Sequence, residues 1–265
     1  MNKDVFKVKK YYDNGDEENR FSDPRKKVEY INTCKILGNY VKPGDKIIDC
    51  AAGTGAYEDF LLLCDCDSIY ASDLSDRNVS ILREKYKNNE KITIFQDNAL
   101  DLYRYADKTF DVVLCLGPLY HLKRDDISRC IEECMRILKD GAHAFFAYMP
   151  RNFVVWNLIN NPVYKIPFDE VMYLAENGHF HNISQGFWGC SYFYTPEEML
   201  EFFEPYTDMI VEHRSVDMEL GNFFEKISTL NGTELDRLTE YIYKNSSSPY
   251  VLGSSKHNLI VVKKC

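Results

Sequence analysis

Between residues 46 and 149 short apolar runs alternate with amphipathic segments, and this alternation restricts the fold more than any other feature of the chain. Parallel neighbours need a crossover, and the helices that supply it cover both sheet faces, so the rhythm implies a doubly wound α/β layer. The spacing predicts parallel strands at Lys46–Asp49, Ser68–Asp73, Ile92–Gln96, Phe110–Gly117 and Ala142–Met149. Ile127, Cys130, Ile131, Cys134 and Ile137 recur at helical intervals and predict a helix between Asp125 and Leu138, stopped by Gly141. Met209–Val216 reads as a sixth strand and Asn258–Lys263 as the last.

The chain divides into four stretches. Residues 1–40 are charged and aromatic, helical in part, and suit a lid; residues 41–150 hold the alternating core. Residues 151–194 carry eleven of the 37 aromatic side chains and are broken by Pro162, Pro167, Gly178, Gly186 and Gly189, which suits a cap more than a continuing sheet. Residues 195–265 complete the sheet around a second insertion, 217–257, in which Thr233 caps a helix running to Lys244.

Composition narrows the function. Of 265 residues 45% are hydrophobic, enough for a packed core and too many for a disordered chain. The net charge of −9 opposes nonspecific binding to nucleic acid, so no nucleic-acid partner is expected. No apolar run approaches the roughly 18 residues that span a bilayer, and the first twenty residues lack a signal core, so a cytoplasmic protein without a membrane partner is expected. Nine scattered cysteines without a CxxC pair read as free, mostly buried thiols. Nothing in the chain encodes an oligomeric state.

The run Ile47-Ile48-Asp49-Cys50-Ala51-Ala52-Gly53-Thr54-Gly55 carries a buried strand into a small-residue turn, followed by a helical pattern from Ala56 to Leu63. Open α/β sheets bind ligands at that edge, where loops diverge and a helix end favours negative groups. Asp73 closes the next strand, placed to accept both hydroxyls of a ribose. A dinucleotide fingerprint would need GxGxxG, and Asp49 in the approach would repel a pyrophosphate while attracting an ammonium group. The ligand should carry a cation.

These residues resemble the first motif of the class I S-adenosylmethionine-dependent methyltransferases, with Ala51 where that family has its first glycine. Asp73, with Leu74 beside it, is similar to the family's ribose-binding acid. Asp97-Asn98-Ala99, with Leu100-Asp101-Leu102, resembles the adenine segment, Asn98 standing where the family often has Asp. Phe110-Asp111-Val112-Val113-Leu114 and the following Leu116-Gly117-Pro118-Leu119-Tyr120-His121 resemble the fourth-strand motif. Lys256–Val262 is similar to the family's antiparallel seventh strand.

The resemblance implies a Rossmann-like, mostly parallel seven-stranded sheet with an antiparallel last strand and helical and aromatic cap insertions. It also implies S-adenosylmethionine held by Asp49, Ala51, Gly53, Thr54, Gly55, Asp73, Leu74, Asp97, Asn98, Ala99, Leu116 and Gly117, with Tyr12 and Arg20 reaching over from the leading segment. A solvated charged helix over Asp16–Arg20 competes with that use of Arg20. The expected reaction is in-line methyl transfer to a small-molecule acceptor, for which alignment and desolvation matter more than a nucleophilic side chain.

Tyr120 and His121, directly after the fourth strand, are the catalytic candidates; packing of Tyr120 and capping by His121 are the structural alternatives. His179, His181, Trp188 and Tyr192 of the cap are the acceptor-binding candidates, since aromatic faces suit flat or apolar molecules. His179, His181 and Cys190 have no standard metal-ligand spacing, and no metal is expected. Base-modifying relatives carry Asn or Asp before Pro-Pro-Tyr or Phe at the fourth-strand edge, and Leu116-Gly117-Pro118-Leu119-Tyr120 lacks the leading residue. The competing readings are a nicotinamide-dependent oxidoreductase, a non-catalytic scaffold that keeps the cofactor, and a protein or RNA methyltransferase, which would need an open cleft with a basic rim.

Overall fold

Strand β1 (Lys46–Asp49) lies at the middle of the sheet, with Ile47 and Ile48 wholly buried in opposite layers. The structure, a computed structural model, describes residues 3–15, 17, 18, 21, 23–161, 163–218, 227 and 229–265. Around β1 run β2 (Ser68–Asp73), β3 (Ile92–Gln96), β4 (Phe110–Cys115), β5 (Leu138–Tyr148), β6 (Ile210–Ser215) and β7 (Asn258–Lys263). The seven strands follow the order β3-β2-β1-β4-β5-β7-β6. Strands β1 to β5 are parallel, and β7 is antiparallel to both β5 and β6. The order reverses between β1 and β4, so the loops after β1 and β4 diverge there and leave a crevice at the carboxyl edge.

Helices α1 (Lys3–Asp13) and α2 (Pro24–Gly38) precede the sheet, and α3 (Glu58–Leu63), α4 (Asp76–Lys85) and α5 (Arg124–Ile137) form the crossovers. One layer packs Cys34, Ile36 and Leu37 of α2 with Leu61 and Leu82; the opposite layer packs the buried stripe Ile127, Cys130, Ile131, Cys134 of α5. Helices α6 (Arg151–Asn160) and α7 (Phe168–Asn177) follow β5 and build a third core of their own, with Phe153, Val154, Leu158, Val171, Leu174, Phe180 and Phe193 packed against Tyr120 and Met149. Helix α8 (Pro196–Phe202) starts at a capping box formed by Thr195 and Glu198. Helices α9 (Gly232–Asn245) and α10 (Pro249–Ser254) separate β6 from β7. All nine cysteines are free, and seven of them are buried.

Several boundaries depart from the sequence reading. Strand β4 ends at Cys115, so Leu116 and Gly117 belong to the loop beyond it. The helix expected to stop at Gly141 ends at Ile137, and the chain enters β5 without a loop. Gly141, at φ 77°, instead sits where the pairing of β4 with β5 shifts register between Phe110/Leu138 and Val112/His143, a kink that a left-handed residue permits. Helix α9 is capped by Asn231, not Thr233: the Asn231 side chain accepts the Glu234 N–H and the Glu234 carboxylate accepts the Asn231 N–H. Helix α3 begins at Glu58, two residues later than the apolar pattern starts. Asp16 and Arg20 lie outside the described residues, and Glu17 and Glu18 between them are not helical.

Candidate functional site

The turn after β1 is held open by its neighbours. Gly53 takes φ 58°, the left-handed region where a side chain costs energy, and its N–H donates to Asp73 Oδ2 at 2.9 Å. Asp73 Oδ1 accepts the Ser75 N–H at 2.8 Å and the Asn78 Nδ2 at 3.2 Å. The carboxylate thus ties the first turn to the start of α4. Gly55, at φ 85°, backs onto Tyr86 and Leu82, where an added Cβ would come within 2.9 Å of the Tyr86 ring. It shapes the turn from behind and does not line the main cavity.

That cavity opens at the carboxyl edge of the sheet beside the β1 turn. Asp49, Ala51, Gly53, Thr54, Asp73, Leu74, Asp97, Asn98, Ala99, Leu116, Gly117, Tyr120, His121 and Tyr12 all line it. Asp49 is 1% exposed and its Oδ1 accepts the Ala51 N–H at 3.2 Å, leaving Oδ2 without a hydrogen-bond partner among the described residues. Burial, with the nearby Asp73 charge, pushes the Asp49 carboxyl well up from its usual range, and burial raises Asp73 to about 6 against the opposing hydrogen bonds from Ser75, Gly53 and Asn78. Glu58, at the start of α3, is wholly buried, has one oxygen unpartnered, and is pushed up by burial and then by Asp49. Asp49 and Asp73, side by side in one low-dielectric wall of the cavity, favour a cation beside them, which fits a ligand with an ammonium and a sulfonium centre.

The third-strand segment is arranged differently from the resemblance. Asp97 accepts the Tyr105 hydroxyl at 2.9 Å and the Arg104 Nε at 3.1 Å, so its carboxylate serves the loop. Asn98 Oδ1 accepts the Leu100 N–H at 3.0 Å, closing a local turn with one lone pair left for a ligand.

Tyr120 and His121 follow β4 in a short 3₁₀ turn and are both buried. His121 Nδ1 lies 2.8 Å from the Cys190 carbonyl, which can only accept, so Nδ1 carries the proton and Nε2 accepts from the Tyr12 hydroxyl at 2.9 Å. Burial lowers the His121 pKa to about 4, offset only in part by the Cys190 bond, and the ring is neutral. One imidazole therefore joins α1, the β4 edge and the cap. The rest of α1 is fastened over the cavity by Lys9, paired with Asp13 at 2.6 Å and Asp76 at 2.7 Å, and by the Ser75 hydroxyl donating to Asp13 at 2.7 Å.

The four cap residues proposed for the acceptor do not line this cavity. His179 lies against Tyr173 and Tyr192, and His181, exposed, against Tyr173. Trp188 packs among Tyr164, Phe180, Phe187 and Phe193, and the Tyr192 N–H donates to the Tyr120 carbonyl at 2.8 Å. The cap instead sends Phe187 onto His121, Tyr120 and Tyr11, with ring centroids 5.4, 6.1 and 5.9 Å apart. Sequence reasoning missed Asp4, Val5 and Val8, which line the cavity with Tyr12. Val5, Val8 and Tyr12 fall on one face of a helix, so the signal was present as a three- and four-residue period. Glu29 and Tyr57 carried no such signal. Arg20 lies outside the described residues.

Comparison with known proteins agrees with this geometry. Residues 48–146 match the family model of a methyltransferase domain. Ubiquinone biosynthesis O-methyltransferase of Proteus mirabilis is 23% identical over 141 residues, 51% of this chain and 56% of that protein. Its counterpart in Aliivibrio fischeri strain ES114 is 26% identical over 159 residues, 57% and 66% of the two chains. The chain thus spans between about half and two thirds of the length of these curated relatives. In fold it is similar to geranyl diphosphate C-methyltransferase of Streptomyces coelicolor, TM-score 0.60 with 12% identity over 100% of this chain and 99% of the other. It is also similar to a Methanosarcina mazei protein described as a SAM-dependent methyltransferase, TM-score 0.57 with 17% identity over 86% and 96%.

Proposed function

We propose that this chain, which matches a methyltransferase domain over residues 48–146, is a class I S-adenosylmethionine-dependent enzyme that transfers a methyl group to a small organic acceptor in the crevice between the β1 turn and the β4 edge. The observation that carries this reading is the pair of buried carboxylates, Asp49 and Asp73, closing adjacent strands and facing one cavity. The bound donor supplies an activated methyl on a positively charged sulfur, so the chain's own work is to bind, align and exclude water.

Asp73 would accept a ribose hydroxyl with the one lone pair not used by Gly53, Ser75 and Asn78. Asp49 Oδ2 meets the ammonium end, while the backbone of Ala51, Gly53 and Thr54 borders the amino-acid tail. Leu74, Asn98 and Ala99 flank the adenine, with the Asp97 main chain holding that loop to β2 through its N–H to the Asp73 carbonyl at 3.2 Å. Leu116 and Gly117, and Tyr12 from α1, border the cavity where they would hold the rest of the donor and keep water from it.

Tyr120 and His121 border the acceptor. His121, neutral and with both nitrogens engaged, holds Tyr12 in place instead of drawing a proton strongly from an acceptor. Segment 151–194 stands behind that border, Phe187 packing on both rings and the Tyr192 N–H held by the Tyr120 carbonyl. The curated relatives act in ubiquinone biosynthesis as O-methyltransferases, which supports a small acceptor with an oxygen nucleophile. The negative net charge and the acidic cavity support neither nucleic acid nor a membrane as partner; among the described residues no helix is long and apolar enough to cross a bilayer, and a cytoplasmic location suits the reading.

Calorimetry with S-adenosylhomocysteine and with NAD tests it. One equivalent of the former should bind per chain and the latter should not; the reverse result would assign the crevice to an oxidoreductase.

A further inference from the structure

A second polar cluster lies at the same edge of the sheet, outside the roles given above. Strand β6 ends and β7 begins at this edge, and the residues that flank them, Asp217 and His257, meet Glu29 of α2. All three are 5% exposed. His257 Nδ1 is 2.7 Å from Asp217 Oδ2 and 3.3 Å from Glu29 Oε2, and the three potential ligand atoms all lie within 4.8 Å of one another.

We propose that Glu29, Asp217 and His257 form a binding site for one first-row divalent cation of the manganese, iron or zinc class. One nitrogen and two carboxylate oxygens suit such ions. Bonds of about 2.1 Å separate ligand atoms by roughly 3 to 4 Å, so small adjustments admit the ion.

Two further observations support the site. Asp217 is oriented in advance: its Oδ1 accepts the His257 N–H at 3.0 Å and the Lys256 N–H at 3.2 Å, which turns Oδ2 toward His257 Nδ1 at 2.7 Å, where the ion would displace the shared proton. Asn32, one turn along α2 from Glu29 and 1% exposed, donates from Nδ2 to the carbonyl of Val216 at 3.0 Å, next to Asp217. Its Oδ1 is buried with no hydrogen-bond partner, an orphaned oxygen beside the cluster that an ion-bound water would satisfy.

A cation in place of the Nδ1 proton would bridge the imidazole and the two carboxylates. Glu29 also lines the main cavity, which places the ion one carboxylate away from it. There it would favour an acceptor oxygen in its anionic form, a consequence that rests on the methyl-transfer reading; the ion site itself does not.

Chelator-treated full-length protein titrated with Mn2+ alone, followed by electron paramagnetic resonance, tests the site without donor or acceptor. The expected result is one Mn2+ per chain, weakened at least tenfold by Asp217→Asn and by His257→Ala, each checked by thermal melting. In the unmodified protein the bound Mn2+ should show electron spin-echo modulation from a directly coordinated imidazole nitrogen, a readout that needs no variant to fold. Absence of stoichiometric binding, absence of the nitrogen coupling, or unchanged affinity in folded variants would overturn the proposal and leave the three side chains as a hydrogen-bonded structural tie between α2 and the sheet edge. Failure of S-adenosylhomocysteine to bind would strike the methyl-transfer reading alone.

Discussion

The two walls of the cavity are built on different principles. The β1–β2 wall is a set of short loops fixed by backbone geometry: Gly53 donates to Asp73, Ser75 caps α4 while donating to Asp13, and each polar group lies within a few residues of a strand end. The wall formed by α1 and the β4 edge, with the cap packed behind it, is assembled from groups distant in sequence, His121 meeting the Tyr12 hydroxyl across 109 residues and the Cys190 carbonyl across 69. A binding function written into strand ends survives variation elsewhere, whereas one assembled from distant side chains depends on every element that carries them. The first wall should therefore lose affinity when one carboxylate changes, and the second should lose closure by degrees.

The largest effect tests the first wall. Asp73→Ala removes charge-assisted hydrogen bonds of about 1.5 to 3 kcal/mol each, so affinity for S-adenosylhomocysteine should fall about 100-fold or more by calorimetry. An unchanged constant would mean that the β1–β2 wall is scaffolding.

Acidity sharpens the contrast next. Asp73 titrates near 6 in the free protein and Asp49 is also raised, and a cationic donor binds their charged forms. Affinity should be full only above about pH 8 and fall as the pH drops through about 6, approaching a hundredfold per unit once both carboxyls take up protons, with proton release on binding seen in buffers of different ionisation heat. Stability of the free protein moves the other way. A carboxyl raised by burial contributes stability fully present below its unfolded value of 3.8 and lost as pH rises through about 6. Melting temperatures of the free and bound protein should diverge between pH 5 and 7; parallel curves would remove Asp73 from the site.

Smaller changes probe the second wall. Tyr12→Phe deletes one hydrogen bond, about 1 kcal/mol, and should speed donor release about fivefold in stopped-flow measurements while leaving the β1–β2 contacts intact. His181→Ala, on an exposed ring against Tyr173, should change donor affinity less than twofold; a larger change would bring the outer cap into the binding site.

The same contrast explains what the sequence disclosed. The strand-to-turn passage, Asp73 and the spacing to Asp97 are local features with a period or a fixed offset, and they converge on one cavity as the motif order implies. The lid face of Val5, Val8 and Tyr12 was readable by period but hidden among charged neighbours. His179, His181, Trp188 and Tyr192 misled because aromatic density identifies a packed cap without giving its orientation, and most of those rings face one another. The partners of His121 and the gathering of Glu29, Asp217 and His257 depend on how α1, α2 and the two insertions return to the sheet, which no local pattern records.

The shared imidazole has a kinetic consequence. Peeling α1 away to exchange spent donor strips His121 of the hydroxyl that holds its ring, and the ring is also the cap's anchor at Cys190. Opening of the leading helix would thus slacken the cap in the same motion, so the two covers of the crevice should move together and not one by one.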